Sequence, residues 1–198
     1  MIMALKPLFR GRLIAIGGNE DKADELVVLR RVVQEVGKTE YKVGVITTAS
    51  EEPELRGKDY HRVFTTLGAC SIEILNITTR AQANDSTLAK TLEDVDLIFL
   101  AGGDQLRLTT IVGGSKILHA IQNRLEAGAL VAGTSAGAAV FSDTMIYDGK
   151  SEEGLFKGRV LTTAGFGFVE NIIFDTHFIA RGRIGRLVQI VTTNPTCI

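Results

Sequence analysis

The feature that most constrains the fold is a short apolar segment that leads directly into a serine flanked by glycines. Residues 129–132 are typical of a strand, Gly133 and Gly137 frame Ser135 in the pattern G-x-S-x-G, and small residues typical of a helix follow. A serine in this pattern lies on a sharp strand-to-helix corner, with its hydroxyl exposed and backbone N–H groups nearby. The same residues are also typical of a closely packed glycine and alanine turn, so the motif alone leaves both interpretations open.

Before this corner, short apolar segments alternate with helical patterns. Strands are predicted at 13–16, 43–46, 72–77, 97–100 and 129–132, and helices at 24–36, 54–67, 85–92, from about 105, and at 116–125. This alternation predicts an α/β fold with a mainly parallel sheet. The 198 residues are expected to form a single domain, residues 1–198.

Glycine or hydroxyl residues follow four of the predicted strands. They are Gly17-Gly18, Thr47-Thr48, Gly102-Gly103 and Ser135. In parallel sheets, ligands bind beyond the carboxyl ends of the strands, so these residues should share one rim.

The pattern changes after Phe141. Residues 147–158 are polar and predict a loop, whereas 166–168 and 172–174 predict two short strands. A loop and then a helix ending near Val191 should follow.

The composition argues against several classes of partner. A formal net charge of −1 predicts no nucleic-acid or membrane partner, and no apolar run reaches the ~18 residues of a membrane-spanning helix. Cys70 and Cys197 have no metal-ligand spacing and suggest no disulfide framework, which favours a reducing, cytoplasmic location. No phosphate-binding glycine motif is present.

A serine nucleophile needs a base within hydrogen-bond reach. His61 and His119 fall within helical patterns, whereas His177 follows a predicted strand end, as Ser135 does. His177 is therefore the predicted base. The sequence leaves the orienting acid open among Asp143, Asp148, Glu152, Glu153 and Asp175.

Two further features bear on the chemistry of the rim. The backbone N–H groups of Ala136 and Gly103 are candidates for an oxyanion hole. Arg181, Arg183 and Arg186 form a cluster that indicates either recognition of a carboxylate-bearing substrate or a solvated basic face.

Six motifs extend these observations over almost the whole chain. They are Gly17-Gly18-Asn19-Glu20-Asp21-Lys22, Thr48-Ala49-Ser50, Gly102-Gly103-Asp104-Gln105-Leu106-Arg107, Gly133-Thr134-Ser135-Ala136-Gly137-Ala138, Asp175-Thr176-His177-Phe178 and Arg181-Gly182-Arg183-Ile184-Gly185-Arg186-Leu187. In this order they resemble the cyanophycinases, of the serine peptidase family that also holds the aspartyl dipeptidases. The block 175–187 is the most specific part of the resemblance.

The resemblance implies a three-layer flavodoxin-like fold, with helices on both faces of the sheet, related to class I glutamine amidotransferases. It implies hydrolysis of cyanophycin, a poly-aspartate whose side chains carry arginine, to β-Asp-Arg dipeptides, with no metal or cofactor. Ser135 would be the nucleophile and His177 the base, with Gly103 and Ala136 as the oxyanion hole. The substrate pocket would hold Gln105, Asp175, Thr176, Arg181, Arg183 and Arg186. Asp175 would bind the guanidinium of the substrate, and the arginines would bind the carboxylates of the substrate. The resemblance leaves open whether the chain forms a homodimer.

The chain departs from the family pattern in two places. Thr176 stands where the family usually has glutamine, and the chain ends before a strand carrying a G-[IL]-G-[IL]-[DE]-E motif. The family's C-terminal strands and helices are therefore expected to be missing. The triad acid would be either Glu153 or an acid of that motif. The rival interpretations are an aspartyl dipeptidase of the same family and a non-catalytic protein or inactive fragment that only binds ligand.

Overall fold

A five-stranded sheet forms the centre of the computed structural model, which describes residues 10–150, 156 and 158–194. The strands are β1 Arg12–Ile16, β2 Lys42–Ile46, β3 Ser71–Leu75, β4 Leu97–Leu100 and β5 Leu130–Thr134. They are all parallel and lie in the order β1-β5-β4-β2-β3. The predicted α/β fold with a parallel sheet is confirmed.

Helices cover both faces of the sheet and make it the middle of three layers. They are α1 Val27–Val36, α2 Pro53–Thr66, α3 Arg80–Ala83, α4 Ser86–Lys90, α5 Gln105–Val112, α6 Lys116–Glu126 and α7 Ala136–Ala139. Buried residues of α1 and α2 belong to one hydrophobic core, and those of α5 and α6 belong to the other. No helix in the described ranges is both long enough and apolar enough to cross a membrane.

The strand β4 shows why the sequences of the central strands are continuously apolar. Leu97 and Phe99 pack into the core beneath α1 and α2, whereas Ile98 and Leu100 pack into the opposite core. Side chains alternate between the two faces of a strand, so a strand covered on both sides must be apolar at every position.

The strand order places β5 between β1 and β4. The last residue of β1, Ile16, pairs with Thr134, and Leu100 at the end of β4 pairs with Gly133. The loops that follow these two strands therefore flank Ser135 at the carboxyl edge of the sheet.

The segment after Phe141 differs from its prediction. Strands β6, Thr144–Asp148, and β7, Leu161–Ala164, form an antiparallel pair, and α8, Ile184–Thr193, follows. The strands predicted at 166–168 and 172–174 are wrong, because these residues form loops. Phe166 and Phe168 cover the core near Phe141, so apolar side chains alternate along this loop as they would along a strand.

The buried Phe99 generates a prediction for stability. Its ring lies 4.7 Å from the Tyr60 ring and 5.5 Å from the Phe64 ring, and it is fully buried. Phe99→Ala should lower the free energy of unfolding by about 3–5 kcal/mol, measured by urea denaturation. Phe156→Ala is the matched control, because Phe156 is 66% exposed. Equal losses in the two variants would contradict this account of the core.

Candidate active site

Ser135 lies on the corner between β5 and α7 in a strained backbone conformation. Its φ of 51° and ψ of −112° are rare for a residue with a side chain. The Ser135 N–H donates to the carbonyl oxygen of Ile16, at the end of β1, over 3.0 Å. The corner is thus held by the neighbouring strand as well as by its own chain.

Close packing explains the small residues on either side of the serine. A Cβ atom on Gly133 would lie 2.2 Å from the Gly137 carbonyl oxygen, and one on Gly137 would lie 2.2 Å from the Leu100 carbonyl oxygen. Neither position has room for a side chain. The interpretation of the motif as a packed turn and its interpretation as a nucleophile corner are therefore compatible in this structure.

His177 meets Ser135 at the rim. Its Nε2 atom lies 2.8 Å from Ser135 Oγ. Its backbone N–H donates to the Gly17 carbonyl oxygen over 2.8 Å, and its φ of 52° is again in the left-handed region. The ring packs against Gly18, where an added Cβ atom would lie 2.4 Å from His177 Cε1.

The surroundings of His177 favour its neutral form. Burial lowers the pKa of His177, the charges of Arg181 and Arg183 lower it further, and the Glu20 carboxylate acts in the opposite direction, raising it. A neutral imidazole can accept the proton of the serine hydroxyl, so the direction of the shift suits a general base.

A cleft of about 540 Å³ opens above this pair. Its walls come from the loops after β1, β2 and β4, from α2 and from the Ser135 corner. They consist of Asn19, Glu20, Lys22, Ser50, Glu51, Glu52, Arg56, Tyr60, Gly102, Gly103, Thr134, Ser135 and His177. Of the residues predicted to share this rim, Gly102, Gly103 and Ser135 line the cleft, whereas Gly17-Gly18 and Thr47-Thr48 are not in its wall and only the loops that follow them contribute to it.

The two oxyanion candidates both adjoin Ser135. Ala136 is the first residue of α7, where backbone N–H groups have no partner within the helix. Gly103 lines the cleft, and a Cβ atom on the preceding Gly102 would lie 3.3 Å from Ser135 Cβ. The backbone of this loop therefore passes directly beside the serine.

The Asp175 carboxylate is bound within the protein. It accepts hydrogen bonds from Nη2 of Arg186 and, over 2.9 Å, from Nε of Arg186. Nη1 of Arg183 lies 3.5 Å from the same carboxylate and donates to the Thr176 carbonyl oxygen over 2.5 Å. The side chain of Asp175 is only 3% exposed. Asp175 and Arg186 therefore fix the segment that leads into His177.

The other predicted site residues lie in different surroundings. Gln105 donates from its side-chain amide to the carbonyl oxygens of Ile146 and Tyr147, each over 3.2 Å. Arg181 is exposed, and its side chain has no ion pair within the described ranges. Glu153 lies outside the described residues. Where the structure describes the chain, no carboxylate is hydrogen-bonded to the His177 ring.

The remaining histidines lie away from this pair. His61 is on α2, and His119 is on α6, where it lines a separate cleft of about 400 Å³ with Lys90 and Lys116. Within the described ranges, no group of three His, Cys, Asp or Glu side chains is placed to hold a metal ion.

No role is predicted for Glu20 from the sequence, yet this buried residue is central to the cleft. Its carboxylate accepts hydrogen bonds from the hydroxyls of Thr134 and Tyr60 and forms a 2.9 Å ion pair with Lys22. A glutamate two residues after a strand-end glycine pair was the available signal. Its two hydroxyl partners, Tyr60 and Thr134, lie 40 and 114 residues away, which no local pattern reveals.

The strand-to-helix corner that carries Ser135, with His177 2.8 Å from its hydroxyl, resembles the nucleophile corner of one class of serine hydrolases. A family model places the chain more narrowly. The chain belongs to Peptidase family S51, whose model matches residues 13–198.

Curated relatives agree with this assignment. The chain is 38% identical over 184 residues to a cyanophycinase of Trichormus variabilis, which covers 92% of this chain and 62% of the relative. It is 34% identical over 187 residues to a cyanophycinase of Synechococcus elongatus, with coverages of 94% and 58%. The chain thus spans about three fifths of the length of these relatives.

A solved structure supports the fold. A peptidase from an acI-B1 Actinobacterium superposes with a TM-score of 0.70 and 22% sequence identity. The superposition covers 91% of this chain and 75% of that peptidase.

The contact between Gly18 and His177 generates a second prediction. Gly18→Ala should displace the imidazole and slow the reaction of Ser135 with a fluorophosphonate reagent by at least about tenfold, because misplacing a catalytic group by about 1 Å can cost 10²-fold. Gly17→Ala is the matched control, because a Cβ atom there meets nothing within 4 Å. Labelling at the wild-type rate in a folded Gly18→Ala variant would contradict this placement of His177.

A third prediction concerns pH. Because the Arg181 cation disfavours the imidazolium, Arg181→Gln should raise the pKa of His177. Less neutral base is then present at low pH, so the acid limb of Ser135 labelling should move to higher pH. The His177 pKa is measured by NMR titration, with Arg31→Gln on α1 as the control. An unchanged or lowered His177 pKa in the Arg181 variant would refute the electrostatic argument.

Proposed function

We propose that this chain is a serine exopeptidase that hydrolyses cyanophycin and releases β-Asp-Arg dipeptides. The observation that carries the proposal is the 2.8 Å hydrogen bond between Ser135 Oγ and His177 Nε2 at the floor of the cleft. The choice of substrate is supported by the relatives that carry the name cyanophycinase over most of this chain.

The reaction proceeds through an acyl-enzyme. Ser135 Oγ attacks the main-chain carbonyl carbon between two aspartates of the polymer while His177 Nε2 accepts the hydroxyl proton. The C–N bond then breaks, and His177 returns the proton to the leaving amine. A water molecule, deprotonated by His177, hydrolyses the ester and restores the Ser135 hydroxyl.

The negative charge that develops on the carbonyl oxygen needs fixed donors. We assign this role to the backbone N–H groups of Gly103 and Ala136, one from each side of the serine. Donors that are held in place before the reaction need no reorganisation as the charge forms, which is why such sites contribute strongly to catalysis.

Substrate recognition is assigned to the segment around His177. Arg181 is the arginine whose exposed guanidinium is free to meet substrate carboxylates, and Arg183 adds positive charge beside it. Asp175, Arg186 and the Thr176 backbone contribute by holding this segment in shape, and Gln105 by joining α5 to β6. Glu153 is proposed as the acid that orients His177.

We expect the enzyme to act in the cytoplasm, because its two cysteines suggest no disulfide framework. We expect its partner to be a peptide polymer rather than nucleic acid or a membrane, because the formal net charge is −1. Association of two copies is compatible with the proposal and is not required by the mechanism.

The proposal is tested by substitution of the nucleophile. Ser135→Ala should reduce release of β-Asp-Arg from cyanophycin by at least about 10³-fold, because the loss of a nucleophile removes the covalent route. Ser71→Ala, at the start of β3, is the matched control. Products are quantified by chromatography.

Two outcomes would overturn the assignment. Undiminished release by Ser135→Ala would exclude Ser135 as the nucleophile. Cleavage of Asp-X dipeptides by the wild-type chain without cleavage of the polymer would point to an aspartyl dipeptidase.

A further inference from the structure

A buried carboxylate, that of Glu20, lies in the same cleft wall as Ser135. The Glu20 side chain is 1% exposed and has three partners. Its Oε2 atom accepts a hydrogen bond from the Thr134 hydroxyl, and its Oε1 atom accepts one from the Tyr60 hydroxyl over 2.5 Å. Lys22 Nζ lies 2.9 Å from Oε1. A buried carboxylate is tolerated only when such donors replace its lost hydration.

Each partner belongs to a different part of the site. Glu20 itself follows the Gly17-Gly18 loop at the end of β1, which holds the backbone and ring of His177. Thr134 is the last residue of β5 and directly precedes Ser135. Tyr60 comes from α2, on the far side of the cleft. One carboxylate thus links the loop that contacts His177 to the strand that leads into Ser135.

The donors keep Glu20 ionised. Burial raises the pKa of Glu20, but the hydrogen bonds from Thr134, Tyr60 and Lys22 together outweigh burial, so the pKa lies below its ordinary value. Burial and the nearby Glu20 charge raise the pKa of Tyr60, so the phenol keeps its proton and donates it to the carboxylate. The cluster is therefore a stable, fully paired anion at neutral pH.

The corner at Ser135 needs an external constraint. A residue with a side chain is strained at the φ of 51° that Ser135 adopts, and such strain persists only where the surroundings hold it. Thr134, the residue before the strained Ser135, is held through its side chain by the hydrogen bond to Glu20. A hydrogen bond from it to a buried anion is stronger than one to a neutral acceptor.

We propose that Glu20 is a positioning residue, whose buried carboxylate ties Thr134, and with it the corner that carries Ser135, to the loop that holds His177. The inference rests on the proposed function for the roles of Ser135 and His177. It assigns Glu20 no contact with the substrate and no proton transfer.

A second consequence follows from the charge of Glu20. The charged groups that act on His177 from the elements around it are Arg181, Arg183 and Glu20. The two arginines disfavour the imidazolium and Glu20 favours it. Replacing Glu20 with neutral glutamine should therefore lower the pKa of His177, whereas replacing Thr134 leaves the charge in place and should not.

The test separates positioning from a purely structural role. Glu20→Gln and Thr134→Val should each slow fluorophosphonate labelling of Ser135 by about tenfold or more, as expected for a misplaced nucleophile. Thr134→Ser, which keeps the hydroxyl, should restore the rate to near the wild-type value. Glu20→Gln should also lower the His177 pKa in an NMR titration.

A matched control removes a buried hydrogen bond elsewhere. The Tyr41 hydroxyl donates to the Leu67 carbonyl oxygen over 2.8 Å, outside the cleft, so Tyr41→Phe should lose stability without slowing labelling. Wild-type labelling in a folded Thr134→Val variant, or equal slowing by Tyr41→Phe, would overturn the proposal. If Glu20→Gln does not fold, the comparison of Thr134→Val with Thr134→Ser decides.

Failure of the proposed function would look different. If the wild-type chain reacts with the fluorophosphonate but releases no dipeptide from cyanophycin, the substrate assignment is wrong, and the labelling rates of the variants still test the role of Glu20. If the wild-type chain does not react, Ser135 is not the nucleophile, and the NMR titration of His177 still tests the effect of Glu20. An unchanged His177 pKa in folded Glu20→Gln would then refute the inference.

Discussion

The end of β1 is the support on which the site depends. Two successive carbonyl oxygens there accept backbone hydrogen bonds from the two residues that must meet, Ile16 from Ser135 and Gly17 from His177. These residues are 42 positions apart in the chain, and their side chains end 2.8 Å from one another. A backbone anchor is well suited to this role because it does not depend on a side-chain rotamer. The parallel order of the sheet makes it available, since β1 is the edge strand beside β5.

Both anchored residues have φ values near 50°, a conformation that costs free energy for any residue with a side chain. The cost is offset by interactions that exist only when the whole rim is assembled: the two β1 hydrogen bonds, the packing of the His177 ring on Gly18, and the tight contact between Gly133 and Gly137. Tertiary contacts thus stabilise the strained backbone at Ser135 and His177. A short peptide with the G-x-S-x-G sequence would not keep this geometry by itself.

The parts that were predicted from sequence are those with a local physical signature. Buried parallel strands are continuous apolar segments whose ends carry glycine or hydroxyl residues, so the sheet, its rim and the Ser135 corner were predictable. Residues 166–168 alternate as strand residues do because Phe166 and Phe168 cover a core, yet they form a loop. Residues 172–174 are an apolar loop whose Ile173 and Phe174 pack against two different clusters. The family resemblance implies that Asp175 and Arg186 both face the substrate, whereas the turn between them brings the carboxylate and the guanidinium together. No local pattern predicts this pairing, because it depends on how the turn folds.

The electrostatics of the rim follow from how its few carboxylates are placed. Asp175 lies between Arg183 and Arg186. Burial lowers the pKa of His177, and the positive charges of Arg181 and Arg183 lower it further, which favours the neutral imidazole. A base held too strongly neutral would be a poor proton acceptor, because efficient general bases have pKa values near the working pH. The buried Glu20 acts in the opposite direction, and it can do so because its three donors keep it ionised. The Glu20 carboxylate that holds the Ser135 corner through Thr134 therefore also limits how far the pKa of His177 is lowered. Both effects depend on the burial of Glu20.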